Sequence, residues 1–370
     1  MTNATFPAGR LPRWMRDKFG GQGARLARQI FALLASGVIF GCAPAGDSSN
    51  ATPTGDETSA TLRIATTTLP LADWAQQVAG PGAKVTCILP SGANAHTFEP
   101  SPREMRTVAE ASMLLRIGLH LDDWSDGLAS ANREIKSIAV GDLMRTNGLL
   151  PDVTSVTIAA TSIEPDGIEA THDLDNEKDQ SHDDDHDEVH DHDHDHGDDG
   201  TDPHFWLDPL LAREAVTLIA EQLALVHPEQ AATFRANAEA YNARLRSLHE
   251  DIQTTLSTTA RHDFATFHNA FAYYASRYGL QIAAVIEEYP GKEPGDRYLR
   301  GVVEKLRAAG IRSVFAEPQF SRRAAEIIAR EIGGQVAMLD PHGTADAPPR
   351  DTYIGMMTFN TEAIAKALNE

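Results

Sequence analysis

Cysteine is nearly missing from this chain. Two residues, Cys42 and Cys87, serve 370 positions, which excludes a disulfide scaffold and a cysteine-built zinc module. Positive charge is also scarce: 32 Lys and Arg stand against 53 Asp and Glu, a formal net charge of −21. So acidic a chain lacks the basic face that a nucleic-acid binder needs. No apolar run reaches the roughly 20 residues of a membrane-spanning helix. The chain has no His-Glu-x-x-His, no Ser or Cys nucleophile elbow and no phosphate-cradling glycine loop, so the usual marks of a hydrolase or a nucleotide enzyme are absent. What remains is 42% hydrophobic residues, enough for a buried core, over a length that suits two domains with additions. Fifteen histidines are the main surplus.

The charge is unevenly placed. Residues 1–30 carry Arg10, Arg13, Arg16, Lys18, Arg25 and Arg28 against Asp17 alone. An apolar run from Ile30 to Phe40 follows, with the length of a secretory h-region. It ends at Gly41-Cys42, which resembles the bacterial lipoprotein signal, where a Cys receives lipid and becomes the first mature residue. Phe40 is bulkier than that pattern usually has, and Met15 offers a second start that would leave a shorter basic region. Residues 1–42 therefore read as a lipoprotein-type signal segment with Cys42 as the lipidation site. Residues 43–60, rich in Ser, Thr, Pro and Gly, read as a flexible tether. Cys87, in a strand-like run, reads as a buried thiol.

Strands alternate with helices from residue 61 onward, the signature of parallel α/β units. Expected strands are 62–66, 84–89, 113–117 and 135–140, with helices at 69–78, 101–111 and 124–131. The rhythm returns in strands at 264–267, 282–286, 313–316 and 336–339, with helices at 270–278, 296–309 and 322–332. Between the two runs, Phe234, Ala238, Tyr241, Leu245, Leu248, Ile252 and Leu256 step by three or four, one face of a helix. The predicted architecture is an N-terminal α/β lobe over 61–227, a linking helix over 228–258 and a C-terminal α/β lobe over 259–370. A stiff helix between lobes restricts hinge motion, so a site in the cleft between them is largely formed before its ligand arrives.

The stretch of about 164–200 has too little apolar surface to fold and is expected to be a disordered loop. Its segment 172–199 holds 12 Asp and 2 Glu against one Lys. His172, His182, His186, His190, His192, His194 and His196 alternate with those acids, a donor set for weak, exchangeable divalent cations.

Four residues elsewhere are placed to form one metal site. His96, His204 and His268 follow strand-like or loop-like segments, and Asp340 follows the strand at 336–339. Ligands of open α/β sheets bind beyond the carboxyl ends of the strands. Three imidazoles with one carboxylate make an N3O set that suits Zn²⁺.

The stretches Gly92…His96-Thr97-Phe98-Glu99-Pro100, Asp202-Pro203-His204-Phe205-Trp206-Leu207-Asp208-Pro209, Phe267-His268-Asn269-Ala270-Phe271 and Phe315-Ala316-Glu317-Pro318-Gln319-Phe320 resemble the solute-binding proteins of bacterial ABC importers for zinc and manganese. The likeness runs from about Thr61 to the C-terminus. It implies two (β/α) lobes with parallel sheets, joined by a long rigid backbone helix and clamping one metal in the interlobe cleft. The ligands it implies are His96, His204, His268 and Asp340. His268, where manganese members commonly have Glu, favours the zinc branch, and the His- and Asp-rich loop fits that branch too. Ala95 stands where some zinc members have an acidic residue, which leaves Asp340 or a water to complete the shell. The resemblance further implies high-affinity Zn²⁺ as the transported ligand and Mn²⁺ as the poorer one. Its partners would be an ABC permease and its ATPase, with a monomer held by a lipid on Cys42 in the periplasm or at the cell surface. It implies no catalysis.

A zinc hydrolase is the rival class, since three His with an open position can activate water. It needs a general base near that water, and no sequence context marks Glu99 as one. Among the remaining residues, His120 can line the cleft, His249 is expected on the helix surface, and Glu287 and Glu288 read as loop charges near the cleft. His342, two residues after Asp340, is the one spare ligand candidate.

Overall fold

The computed structural model describes residues 62–130, 132–153, 200–287, 291–292 and 294–370. The signal segment, the tether, Cys42, the seven histidines of the acidic loop and Glu288 lie outside the described residues. All described residues fall in one compact unit.

The first α/β run folds as the alternation predicts. Strands β1 (Arg63–Thr66), β2 (Lys84–Cys87), β3 (Met113–Arg116) and β4 (Lys136–Ala139) form one parallel sheet in the order β2-β1-β3-β4. Ile64 sits opposite Val85 on one side and Met113 on the other. Helices α1 (Leu69–Ala79), α2 (Pro102–Ala109) and α3 (Trp124–Ser130) make the crossovers, and α4 (Val140–Thr146) follows β4. Ser101 opens α2 with a reciprocal cap: its hydroxyl accepts from the Arg103 amide while Glu104 accepts from the Ser101 amide.

The second run is also parallel but divides into two pairs. Strand β5 (Asp263–Thr266) pairs with β6 (Gln281–Val285), and β7 (Ser313–Ala316) pairs with β8 (Gln335–Met338). β5 and β7 lie side by side, with Phe264 edge-on to Phe315 at 6.2 Å. Helices α7 (Ala272–Tyr278), α8 (Asp296–Ala308), α9 (Arg322–Glu331) and α10 (Tyr353–Leu368) complete this half.

The linking helix is shorter than the sequence suggests and has more company. Pro228–Gln230 form a separate 3-10 turn, and the helix proper runs from Ala231 to Leu256. At 1.5 Å per residue it spans about 39 Å. Its buried residues are the seven of the predicted stripe. That stripe packs on an 18-residue helix, Pro209–Val226, which the sequence reading does not assign; in chain order these are α5 and α6. The Asp208 carboxylate caps α5 at the Leu210 amide (2.8 Å), and its other oxygen accepts from Arg277 at 2.7 Å. α1 and α10 also pack on α6. Asp73 ties the three together, accepting from the Tyr241 hydroxyl at 2.6 Å and from the Tyr353 amide at 3.3 Å. One face of the strut is therefore buried under its neighbours while the other is exposed, and that packing stiffens it beyond what a lone helix provides.

Candidate metal centre

His96, His204 and His268 converge. Their donor nitrogens all lie within 4.8 Å of one another, and among the described residues no other group of metal-ligating side chains gathers so closely. Ring centroids are 5.3 Å apart for His96 and His204, 5.3 Å for His204 and His268, and 6.2 Å for His96 and His268. Nε2 of His96 faces Nε2 of His204 at 3.3 Å. With Zn–N bonds of about 2.0–2.1 Å, neighbouring corners of a tetrahedron are about 3.3–3.4 Å apart, so this pair already has the spacing of two zinc ligands.

Each imidazole is brought there by a local device. His96 lies on the loop beyond β2, where the Asn94 side chain accepts its amide (2.8 Å) and Trp124 donates to the Ala95 carbonyl (2.8 Å). His204 precedes a 3-10 turn, Phe205–Leu207, and its Nδ1 and its own amide both meet Asp202 Oδ1 at 2.8 Å. His268 follows β5, and its Nδ1 lies 2.7 Å from Glu317 Oε2, just beyond the end of β7. A carboxylate behind Nδ1 holds the proton on that nitrogen and leaves Nε2 to the metal. Gln319 in turn donates to Glu317 at 2.6 Å.

Burial sets the protonation of the group. Burial, then the neighbouring His204 and His268, lower His96 to about 3. Burial and His268 hold His204 well below its ordinary value. Burial works in the same direction at His268, but Glu317, with Glu287 and Asp202, outweighs it and the net shift is upward. Asp202 itself is pushed up to about 7 by burial.

Asp340 is not part of the gathered group. Its Oδ1 accepts from the Gly343 amide (2.8 Å), and its Oδ2 accepts from the Thr344 hydroxyl (2.6 Å) and from Arg350 (2.9 Å). His342 is buried close by, its ring 5.5 Å from Trp206 and its basicity lowered by burial and by all three site histidines. Glu287, read from the sequence as a loop charge, is 5% exposed. Its Oε1 accepts the Gly291 amide at 2.8 Å. His249, expected on the surface, is half-buried against Tyr278, 3.1 Å from its hydroxyl. His120 pairs with Asp123 at 3.0 Å, away from the group. Burial pushes Cys87 up to about 12 and keeps it a thiol.

The two halves meet around this centre. The Ala345 amide donates to the Ser91 hydroxyl at 2.9 Å, and Trp206 donates to the Pro341 carbonyl at 2.7 Å. Gly291, at φ +77°, lies so near Thr97 that an added Cβ would meet its methyl at 2.9 Å.

Parallel α/β lobes packed around a helical layer, with three imidazoles converging from separate loops, define a two-lobe solute-binding protein. The chain belongs to the family "Zinc-uptake complex component A periplasmic", whose model matches residues 64–367. It is similar to the high-affinity zinc uptake system protein ZnuA of Bacillus subtilis (strain 168), 25% identical over 335 residues, covering 90% of this chain and 94% of that one. It is also similar to the zinc-binding lipoprotein AdcA of Streptococcus pneumoniae (strain ATCC BAA-255 / R6), 26% identical over 315 residues and 84% of this chain. The chain spans 56% of the length of that relative. A crystal structure of ZnuA superposes with a TM-score of 0.62 at 26% identity, covering 83% of this chain and 99% of that one. Among the described residues no helix is long and apolar enough to cross a membrane.

Proposed function

We propose that this protein is the extracytoplasmic receptor of an ABC-type zinc importer, binding Zn²⁺ through His96, His204 and His268 and handing it to a membrane permease driven by its ATPase. The observation that carries the reading is the convergence of three histidine nitrogens within 4.8 Å, two of them backed by buried carboxylates. Imidazole suits Zn²⁺, whereas Mn²⁺ prefers oxygen. Asp202 and Glu317 are committed to orienting imidazoles, which argues for holding a metal rather than activating water. The loop at 172–199 raises the local cation concentration and feeds the cleft. The lipid on Cys42 keeps the receptor at the outer face of a membrane, and the tether gives it reach to the permease.

Metal analysis of natively purified protein, followed by titration, tests this. One tight Zn²⁺ equivalent is expected, with Mn²⁺ bound at least about a hundredfold more weakly on donor preference. Equal affinities for the two metals would reject the zinc assignment, and turnover of model esters by the zinc form would move the chain to the hydrolases.

A further inference from the structure

Three imidazoles leave one corner of a tetrahedron open, and the structure bears on which residue fills it. Asp340 is fully engaged. Carrying its carboxylate to a metal would break three hydrogen bonds and remove the carboxylate from Arg350, whose side chain is only 21% exposed. Leaving a partly buried charge unpaired is costly. Those bonds close the loop after β8 on itself, together with the Thr344 amide donating to the Arg350 carbonyl at 3.0 Å.

That loop carries His342. The side chain is 7% exposed, and its Nδ1 is buried with no hydrogen-bond partner. A buried polar atom without a partner is rare in a folded protein and calls for an explanation. The ring packs on Trp206, the same indole that contacts the His204 ring at 5.1 Å. Trp206 also donates to the Pro341 carbonyl, next to His342, so the loop is fastened to the segment that presents His204. His342 and Asp340 both line a cavity of about 200 Å³ with Ser91, Gly92, Pro318 and Gln319.

We propose that His342 is the fourth zinc ligand, completing an all-imidazole set, and that Asp340 and Arg350 are positioning residues that hold its loop. This rests on the reading of His96, His204 and His268 as the zinc site. His342 stands outside the close group of three, so ligation requires its imidazole to turn inward. Four neutral nitrogens leave the charge of Zn²⁺ to be balanced from behind, by Asp202 and Glu317 through the imidazoles they contact. A set without oxygen also widens the discrimination against Mn²⁺. Glu287 is the competitor, with Oε2 buried and unpartnered. Its other oxygen, Oε1, is held by the Gly291 amide at 2.8 Å, whereas His342 shares the Trp206 indole with His204.

Zinc-edge X-ray absorption on the full chain carrying one Zn²⁺ equivalent counts the ligands directly. Four imidazoles and no oxygen are expected in the native protein, and four again in Asp340→Asn. His342→Leu should show three imidazoles with one oxygen and bind zinc at least about tenfold more weakly. Three imidazoles plus an oxygen in the native protein would overturn the proposal, as would His342→Leu with unchanged affinity. The native count needs no variant, so a misfolded substitution leaves it decisive. Failure of the underlying site looks different: fewer than three imidazoles in the native spectrum, or full affinity in His268→Ala.

Discussion

The Nδ1 of His268 and the Oε2 of Glu317 lie 2.7 Å apart, across the tips of two neighbouring strands and 49 positions apart in the chain. The contact fixes the ring orientation and lends it negative charge. A carboxylate behind a ligating imidazole typically changes metal affinity 10–100-fold. Glu317→Gln should therefore weaken zinc binding by about that factor while leaving one equivalent. Competition with a chelator of known strength measures it, and an unchanged dissociation constant would show that the contact serves folding alone.

The same contact sets the pH response. His96, at about 3, and His204, held well below its ordinary value, are already neutral at pH 6 and release no proton to zinc there. His268 is raised and Asp202, behind His204, is pushed up to about 7, so on the acid side the metal must displace up to two protons. Zinc affinity should then rise with pH by about one to two decades per unit on the acid side and level off above. Three ordinary imidazoles would give a limiting slope near three below pH 6.5. Chelator competition at half-unit steps from pH 5 to 8 distinguishes the two, and a slope near three contradicts the shifts described here.

Deleting 172–199 should leave one tight zinc equivalent and remove several weaker ones, because donors on a tract too polar to form a core lose ordering entropy when they close on a metal. His268→Ala should do the reverse. Loss of the tightest equivalent in the deletion, with its retention in His268→Ala, would place the main site in the acidic loop.

Cys42→Ser should abolish lipid labelling and release the protein from membranes, since the thiol is the proposed attachment point. Fractionation of cells expressing the variant reads this out, and a variant that stays with the membrane would show that Cys42 is not the anchor.

The sequence by itself determined the features that depend on near neighbours. Strand and helix alternation, the stripe from Phe234 to Leu256 and the positions of His96 and His268 just beyond strands follow from periodicity and turn chemistry. The resemblance then named the trio that the structure gathers. Helix α5 escaped the reading because it is apolar around most of its circumference, buried between α1 and α6, and lacks a clean stripe. Tertiary structure alone decided the partners of each site residue. Glu317 reaches His268, Arg350 occupies Asp340, and the Gly291 amide holds Glu287, because such hydrogen bonds leave no periodic trace in the chain. The same holds for His342: two residues from Asp340 it reads as a spare, and only the packed loops show its nitrogen buried without a partner.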